Sequence, residues 1–348
     1  MTIKHIVLCG GGPVGLVSYG AIKKLINNKI IIHKNIKSIY STSIGCFVAL
    51  IFMFNLKFEW IDDFIIKRPW ENLLNFTSTD YFNLFFTKGL CDENFFITVF
   101  KPLFLAAEIP LDITLKQFYQ ITKIEWHIFT SNLNRFSKVD LNHITHPDLK
   151  VIEAITMSSS IPILIKPPFY NNEYYLDGGI FTNCPCYECL FNQNCKESEM
   201  IAFVNDKRFP IDLSNNYFNN IQNDFYNNDI SNNNLNENTN IFSFLIYMVK
   251  TVFKKIMIIE NENSLTIKNT INVCLTPYTV DLDFWSHVFS TKEERKRLIE
   301  LGEQLGINYF NKIYEYDNSY NNILINNDIS FNLNNISFEN IIIKKLPD

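Results

Sequence analysis

The sequence predicts an α/β protein built on a parallel sheet, and two repeats of one local pattern predict it. "IKHIVLCGGG" (3–12) is an apolar strand that ends in glycines, and "GLVSYGAIKKLINN" (15–28) follows with the apolar face and Asn-Asn ending of a helix. "IKSIYST" (36–42) and "SIGCFVALIFMF" (43–54) then repeat the order of strand, tight turn and helix. Two such units within the first 55 residues point to strands that run side by side, each returned by a helix.

The remaining elements follow the same reading. Residues 57–120 read as mainly helical and are rich in Phe, Trp and Leu. "EWHIFTSNL" (125–133) is a strand whose sheet "FSKVDLNH" (136–143) continues. "DLKVIEAITMSSS" (148–160) is a helix stopped by Ile161-Pro162, because proline disfavours helical geometry in the residue before it. "EYYLDGG" (173–179) is a strand that meets a glycine turn, and "EMIAFVN" (199–205) is a further strand. "INVCLTP" (271–277) reads as the last central strand, and "TKEERKRLIELGEQLGINYF" (291–310) as an amphipathic closing helix. Residues 213–240 are Asn-rich and carry little apolar surface to offset ordering entropy, so they read as a disordered insertion. The tail from Asn311 onward has no assigned role, and no internal repeat is present.

Composition bounds the function classes. The 348 residues are 47% apolar and 19% charged, as expected of a globular protein that buries a full core. A net charge of -5 argues against a dedicated nucleic-acid binder. The apolar run at residues 1–9 is too short for a secretory leader, and no window offers the roughly 20 apolar residues of a membrane span. The eight cysteines are diluted in a long chain, so reduced thiols and a cytoplasmic setting are expected, with peripheral contact at a membrane surface left open.

Three motifs sit at strand ends. Ser43 has Ser41 two residues before it and Gly45 two after, which approximates the G-x-S-x-G nucleophile elbow. The elbow needs small flanks because its helix packs close to the strand. The competing reading makes Ser43 a plain N-cap. Gly10-Gly11-Gly12-Pro13-Val14-Gly15 joins a strand to a helix and presents free N–H groups to an anion. Its spacing fits neither phosphate-loop pattern, which leaves an oxyanion hole or a tight turn. Asp177, before Gly178 and Gly179, could orient or deprotonate a serine hydroxyl, or simply serve a turn.

Together "GGGPVG" (10–15), "STSIG" (41–45) and "DGG" (177–179) resemble the patatin-like phospholipase family. "KGLCDENFF" (88–96), "TLKQFYQIT" (114–122) and "AITMSSSIPILIKPP" (154–168) add to the likeness, which covers residues 3–312. The resemblance implies a three-layer α/β/α fold with a central, mostly parallel sheet. It implies a Ser-Asp dyad hydrolysing fatty-acyl esters of phospholipids or other acyl lipids, with no metal or other cofactor. On that basis Ser43 is the nucleophile and Asp177 its base. The oxyanion hole falls within Gly10, Gly11, Gly12 and Gly15, with Gly11 and Gly12 favoured as donors. Ser41, Gly45, Gly178 and Gly179 flank the dyad. Two departures stand out: Ser41 replaces the first elbow glycine, and Val14 stands where many members carry Arg or Lys. Residues 1–312 form the implied domain and 313–348 a tail.

Other readings remain beside it. A histidine-dependent esterase would need a late histidine, and only His287 follows Asp177. An inactive scaffold of the same fold would bind lipid or protein. Cys184, Cys186, Cys189 and Cys195 cluster, but without the paired C-x-x-C of a zinc site. Pro185 suggests a helix that begins at Cys184. The aromatic stretch 72–86 suits either an acyl-chain pocket or core, core being favoured. "IFSFLIYMVKTVFKKIMII" (241–259) suits an anionic membrane surface or a core helix with snorkelling lysines, the core helix being favoured.

Overall fold

A computed structural model describes residues 2–73, 84, 86–206, 267–275 and 282–330, with a few positions between 239 and 256. It divides into two compact units, residues 1–307 and 308–348. The second is described as far as Ser330 and is helical there. The Asn-rich stretch 213–240 and the aromatic stretch 72–86 lie, apart from single positions and their ends, outside the described residues.

The first unit opens with β1 (His5–Leu8), α1 (Gly15–Asn27), β2 (Ser38–Thr42) and α2 (Ile44–Phe54). α3 (Phe58–Lys67), β3 (Gly89–Cys91), α4 (Glu93–Ala106) and α5 (Leu115–Thr122) follow. The hairpin β4 (Glu125–Asn132) and β5 (Ser137–Leu141) leads to α6 (Val151–Ser158), β6 (Ile163–Ile165), β7 (Phe169–Tyr170) and β8 (Glu173–Asp177). Then come α7 (Cys186–Gln193), β9 (Met200–Val204), β10 (Thr270–Asn272), α8 (Leu282–Ser290) and α9 (Lys292–Ser330).

The described strands form a sheet in the order β10-β9-β1-β2-β4-β8-β7, with β5 also paired to β4, while β3 and β6 pair separately. From β10 to β4 the pairing is parallel; β4–β8, β7–β8 and β4–β5 are antiparallel. The fold is thus α/β with a central, mostly parallel sheet. β1 and β2 are buried along their whole length, as strands covered on both faces must be. On one face Val7, Tyr40, Phe129 and Ala202 pack with Cys186 and Cys189 of α7. On the other, the Trp126 indole N–H donates to Ser41 Oγ, Ser41 touches Cys46 of α2, and Phe118 of α5 lies against the Trp126 ring. Thr130 Oγ1 also donates to the Met157 carbonyl of α6 on that face. Helices on both sides of the sheet make the three layers.

Two readings change. Among the described strands Thr270–Asn272 pairs only with β9, so the strand read at 271–277 lies at the edge of the described sheet rather than in its centre. The helix in the cysteine cluster begins at Cys186 and not Cys184, with Pro185 as its N-cap. Of the segment 241–259, the described positions show Ile241, Phe244, Leu245, Met248 and Val252 exposed and Tyr247, Val249 and Ile256 half-buried, and the rest lies outside the described residues.

A buried ion pair ties the β4–β5 hairpin. His127 Nδ1 lies 2.7 Å from Asp140 Oδ2, Nε2 lies 3.9 Å from Glu125, and the ring stacks on Tyr40 at 4.1 Å. Burial works against the imidazolium, but Asp140 and Glu125 outweigh it and raise its pKa to about 9. The folded value exceeds the free 6.5, so this stabilisation is complete below about pH 6.5 and is lost as pH rises through about 9. Thermal melts should therefore show wild type losing stability between pH 7 and 10 relative to His127→Gln. That variant should be less stable by about 1–3 kcal/mol at pH 6.5. Parallel pH curves for the two proteins would remove the ion pair from this account.

Candidate active site

Ser43 occupies the single position between β2 and α2. Its backbone lies at φ 53°, ψ −125°, a region that costs a non-glycine residue about 1–3 kcal/mol. Ser43 stands at the N-cap position of α2, yet its side chain makes no capping hydrogen bond, so the capping role does not account for it. The turn is held by its neighbours. Ser43 N–H donates to Ser158 Oγ at 2.9 Å, and Ser158 Oγ donates to the Phe129 carbonyl at 2.6 Å. A Cβ at Gly45 would stand 2.4 Å from the Leu8 carbonyl oxygen, which is why the flank after the serine must be glycine. The flank before it tolerates Ser41, whose hydroxyl is buried and accepts the Trp126 indole N–H at 2.8 Å.

Sheet register brings Asp177 to Ser43. Phe129 of β4 faces Thr42 across one edge and Asp140 across the other. The next residue, Thr130, faces Asp177 and Val139. β5 holds the same edge at both positions, so β2 and β8 share the opposite edge and meet head to head. Their last residues, Thr42 and Asp177, lie beside consecutive residues of β4. Asp177 is 1% exposed. Its Oδ1 accepts the Gly179 N–H at 2.8 Å, so the turn role is also real. Its Oδ2 is buried and has no partner of strict hydrogen-bond geometry among the described residues; the side chain that acts on the carboxylate is Ser43. Burial pushes the carboxyl up to about 6 from an ordinary 3.8, and the Ser43 hydroxyl and Gly179 N–H restrain the rise.

The glycine loop lies against the same corner. A Cβ at Gly10 would come within 3.1 Å of Ser43 Cβ. Gly10 N–H donates to the Asn183 carbonyl at 3.3 Å, and Gly15 N–H is engaged by the Gly12 and Pro13 carbonyls. Gly11 and Gly12 N–H have no acceptor among the described residues. Gly12 lies at φ 57°, and a Cβ there would stand 2.3 Å from the Trp285 ring. The short helical turn Gly12–Val14 leads into α1, so the free amides point from a helix entrance, where an anion is favoured. Thr182 Oγ1, Asn205 Oδ1 and Trp285 Nε1 are further buried polar atoms without partners of strict geometry among the described residues. The Thr182 carbonyl accepts the Thr42 hydroxyl, the Asn205 side-chain amide lies against Gly11, and the Trp285 ring, Nε1 included, lies against Gly12. Such unsatisfied groups are rare in interiors and call for an explanation in function.

Ser158, Asn205 and Trp285 were not singled out from sequence. Ser158 lies in the quoted "AITMSSSIP" stretch but carries no local mark of its role. Asn205 and Trp285 reach the loop only through the fold. Elsewhere, His287 is exposed and its Nδ1 lies 3.4 Å from Thr291 Oγ1. Cys184 and Cys186 sulfurs are 3.5 Å apart, and burial contributes to raising both thiols well above their ordinary value. No group of metal-ligating side chains among the described residues is arranged to hold an ion.

A probable lipid hydrolase of Invertebrate iridescent virus 6 is 28% identical over 207 residues, 58% of this chain and 68% of that protein. An uncharacterized protein of Acanthamoeba polyphaga mimivirus is 27% identical over 209 residues, 58% of this chain and 66% of that protein. Among solved structures, VipD from Legionella pneumophila aligns with a TM-score of 0.44 at 14% identity, over 90% of this chain and 67% of that one. The type III effector protein ExoU aligns with a TM-score of 0.36 at 11% identity, over 87% of this chain and 53% of that one. The family model described as patatin-like phospholipase matches residues 6–190, just over half of the chain, and spans Ser43, Asp177 and the glycine loop. The chain belongs to the patatin-like phospholipase family.

Proposed function

We propose that the protein is a serine acyl hydrolase of the phospholipase A type, cleaving fatty-acyl esters of lipids through Ser43 and Asp177. The observation that carries this reading is a buried carboxylate acting on the hydroxyl of a serine with strained backbone, where two strands meet. Asp177 accepts the Ser43 proton as the serine oxygen attacks the ester carbonyl. A carboxyl with a pKa of about 6 is mostly ionised at pH 7 yet basic enough to take that proton. Gly11 and Gly12 N–H receive the oxyanion, and such a donor is worth about 2.7–4 kcal/mol in the transition state. The alcohol leaves with a proton, and water then releases the fatty acid from the acyl-enzyme.

Two rivals lose support. A histidine-dependent esterase would need an imidazole on Ser43, and the late histidine, His287, is exposed beside Thr291. A non-catalytic scaffold would have no use for the backbone cost at Ser43. We assign residues 1–312 to the catalytic domain and its work to the cytoplasmic face of a lipid surface. No helix among the described residues is long and apolar enough to cross a membrane.

The direct test incubates wild type and Ser43→Ala with a mixed lipid extract and identifies released products by mass spectrometry. Wild type should release free fatty acid and the matching lysolipid, and Ser43→Ala neither. Equal release by both proteins would remove Ser43 from the chemistry.

Asp177→Asn separates base from shape. Hydrolysis should fall by about 10²–10⁴-fold, while His287→Gln keeps its rate. In wild type the rate should be half-maximal near pH 6 and level above it, since only ionised Asp177 accepts the proton. The folded pKa is raised, so the fold favours the neutral acid, and Asp177 costs stability as pH rises through about 6. At pH 8 Asp177→Asn should therefore melt no lower than wild type, with a gain of at most about 3 kcal/mol. An active Asp177→Asn with a dead, folded His287→Gln would establish the histidine mechanism instead.

Ser158→Ala leaves the Ser43 N–H and the Phe129 carbonyl without their shared partner. A stability loss of about 1–3 kcal/mol is expected, with a kcat drop of roughly tenfold or more at unchanged KM. Chemical denaturation and steady-state kinetics on a soluble ester report the two parts separately. Full kcat in Ser158→Ala would mean that the elbow holds its shape without that bracket.

A further inference from the structure

We infer that the Trp285 indole N–H is a third donor to the oxyanion, beside the Gly11 and Gly12 amides. This rests on the serine acyl hydrolase reading and adds a side chain to the groups that stabilise its transition state. The chain has four tryptophans. Trp126 donates its indole N–H to Ser41 Oγ at 2.8 Å, and Trp70 donates to the Ile65 carbonyl at 2.7 Å. Trp60 is 39% exposed, so water reaches its side chain. Trp285 differs from all three. Its Nε1 is buried, yet no acceptor of strict geometry stands against it among the described residues. A buried indole N–H ordinarily finds a partner, so this one is short of an acceptor.

The orphan lies at the glycine loop. A Cβ placed on Gly12 would stand 2.7 Å from Trp285 Nε1. The indole nitrogen thus sits against the residue whose own amide has no acceptor among the described residues. Gly10, at the start of the same loop, lies against Ser43. Three N–H groups, two from the backbone and one from the indole, therefore border the turn that packs on the serine. An oxygen that gains negative charge at Ser43 suits such a set. Residues 10–15 hold no cationic side chain, so a donor beyond the loop backbone has to come from another element. Trp285 lies outside the family-matched residues 6–190 and is an addition to the glycine loop rather than part of it.

The fold fixes this donor in place. α8 buries Phe284 and Val288, and its Phe289 ring lies 6.2 Å from the Trp70 ring. Arg295 of α9, 4% exposed, donates through Nη1 to the Val288 and Phe289 carbonyls at 2.9 and 2.7 Å. Through Nε and Nη2 it donates to the Ile65 and Ile66 carbonyls of α3 at 3.0 and 2.7 Å. One guanidinium thus bolts the end of α8 to α3. A donor held beforehand stabilises developing charge without reorganising at the moment of reaction.

The test compares wild type with Trp285→Phe, which keeps an aromatic ring and removes the N–H. On a soluble monomeric ester that carries no phosphate, kcat should fall by roughly 10²-fold with KM within about twofold. Thermal melts check that the variant folds. A second readout follows the N–H itself and needs no variant. A fluorophosphonate forms a P–O bond to Ser43 Oγ as the P–F bond breaks, releasing fluoride and the serine proton. The adduct presents a tetrahedral phosphonyl oxygen in place of the oxyanion. In wild type labelled with nitrogen-15, the assigned Trp285 indole N–H signal should move downfield on this reaction while those of Trp60, Trp70 and Trp126 stay. Full kcat in folded Trp285→Phe, or a Trp285 signal that does not move, overturns the donor. So does a loss confined to KM on phospholipid, which would place the N–H on the headgroup phosphate. Wild type that neither hydrolyses the ester nor takes up the phosphonate fails as a serine acyl hydrolase, and the donor falls with it. Wild type that does both, beside an equally active Trp285→Phe, refutes the donor alone.

Discussion

The constraint on which the site depends is the head-to-head meeting of β2 and β8 along one edge of β4. Strands that are neighbours in a sheet normally run past each other. Here one pairs with β4 as far as Phe129 and the other begins at Thr130, so both chain ends must turn out of the sheet at the same point. The turn after β2 is Ser43 and the turn after β8 is Asp177-Gly178-Gly179. The peptide ladder of β4 therefore acts as the rule that sets the distance between hydroxyl and carboxylate. α6 locks it from above, since Ser158 bonds both the turn at Ser43 and the Phe129 carbonyl.

This corner concentrates costs that the rest of the fold offsets. A serine with positive φ and a carboxylate with 1% exposure both oppose folding. The sheet beneath them is built from strands buried on both faces and helices packed on both sides, which is where the compensating apolar burial lies. The same burial that disfavours ionised Asp177 also raises its basicity toward neutral pH. What weakens the fold at this point is what makes the carboxylate suitable as a proton acceptor.

Much of this was legible from sequence because it is local. Glycines after an apolar run mark a strand end at Gly10 and Gly178, and small residues around Ser43 mark a sharp turn. The alternation into the helical period at Gly15 and Ile44 needs no tertiary information. What was not legible is long-range. Nothing near Asp177 reveals that β8 runs antiparallel to β4, and nothing in "GGG" distinguishes Gly10, engaged by Asn183, from Gly11 and Gly12. Ser158 is one serine of three in a row. Trp285 lies in a stretch to which the sequence reading assigns no element, yet its ring fills the space that a side chain at Gly12 would take. It lies beyond the family-matched residues 6–190, as does Asn205.

The parity of β8 carries a consequence for how the chain can change over time. Successive strand residues point to opposite faces, so one residue added between Tyr175 and Asp177 would turn the carboxylate to the far side of the sheet. Two added residues would restore the side but move it by about 7 Å along the edge. Loops elsewhere are under no such restriction: residues 43–124 join β2 to β4 through α2, α3, α4 and α5, and the length of the chain after α2 does not enter the distance between Ser43 and Asp177. Insertions and deletions should then accumulate freely between the strands and be excluded within them, which makes length, counted residue by residue in β2, β4 and β8, the inherited quantity of this site.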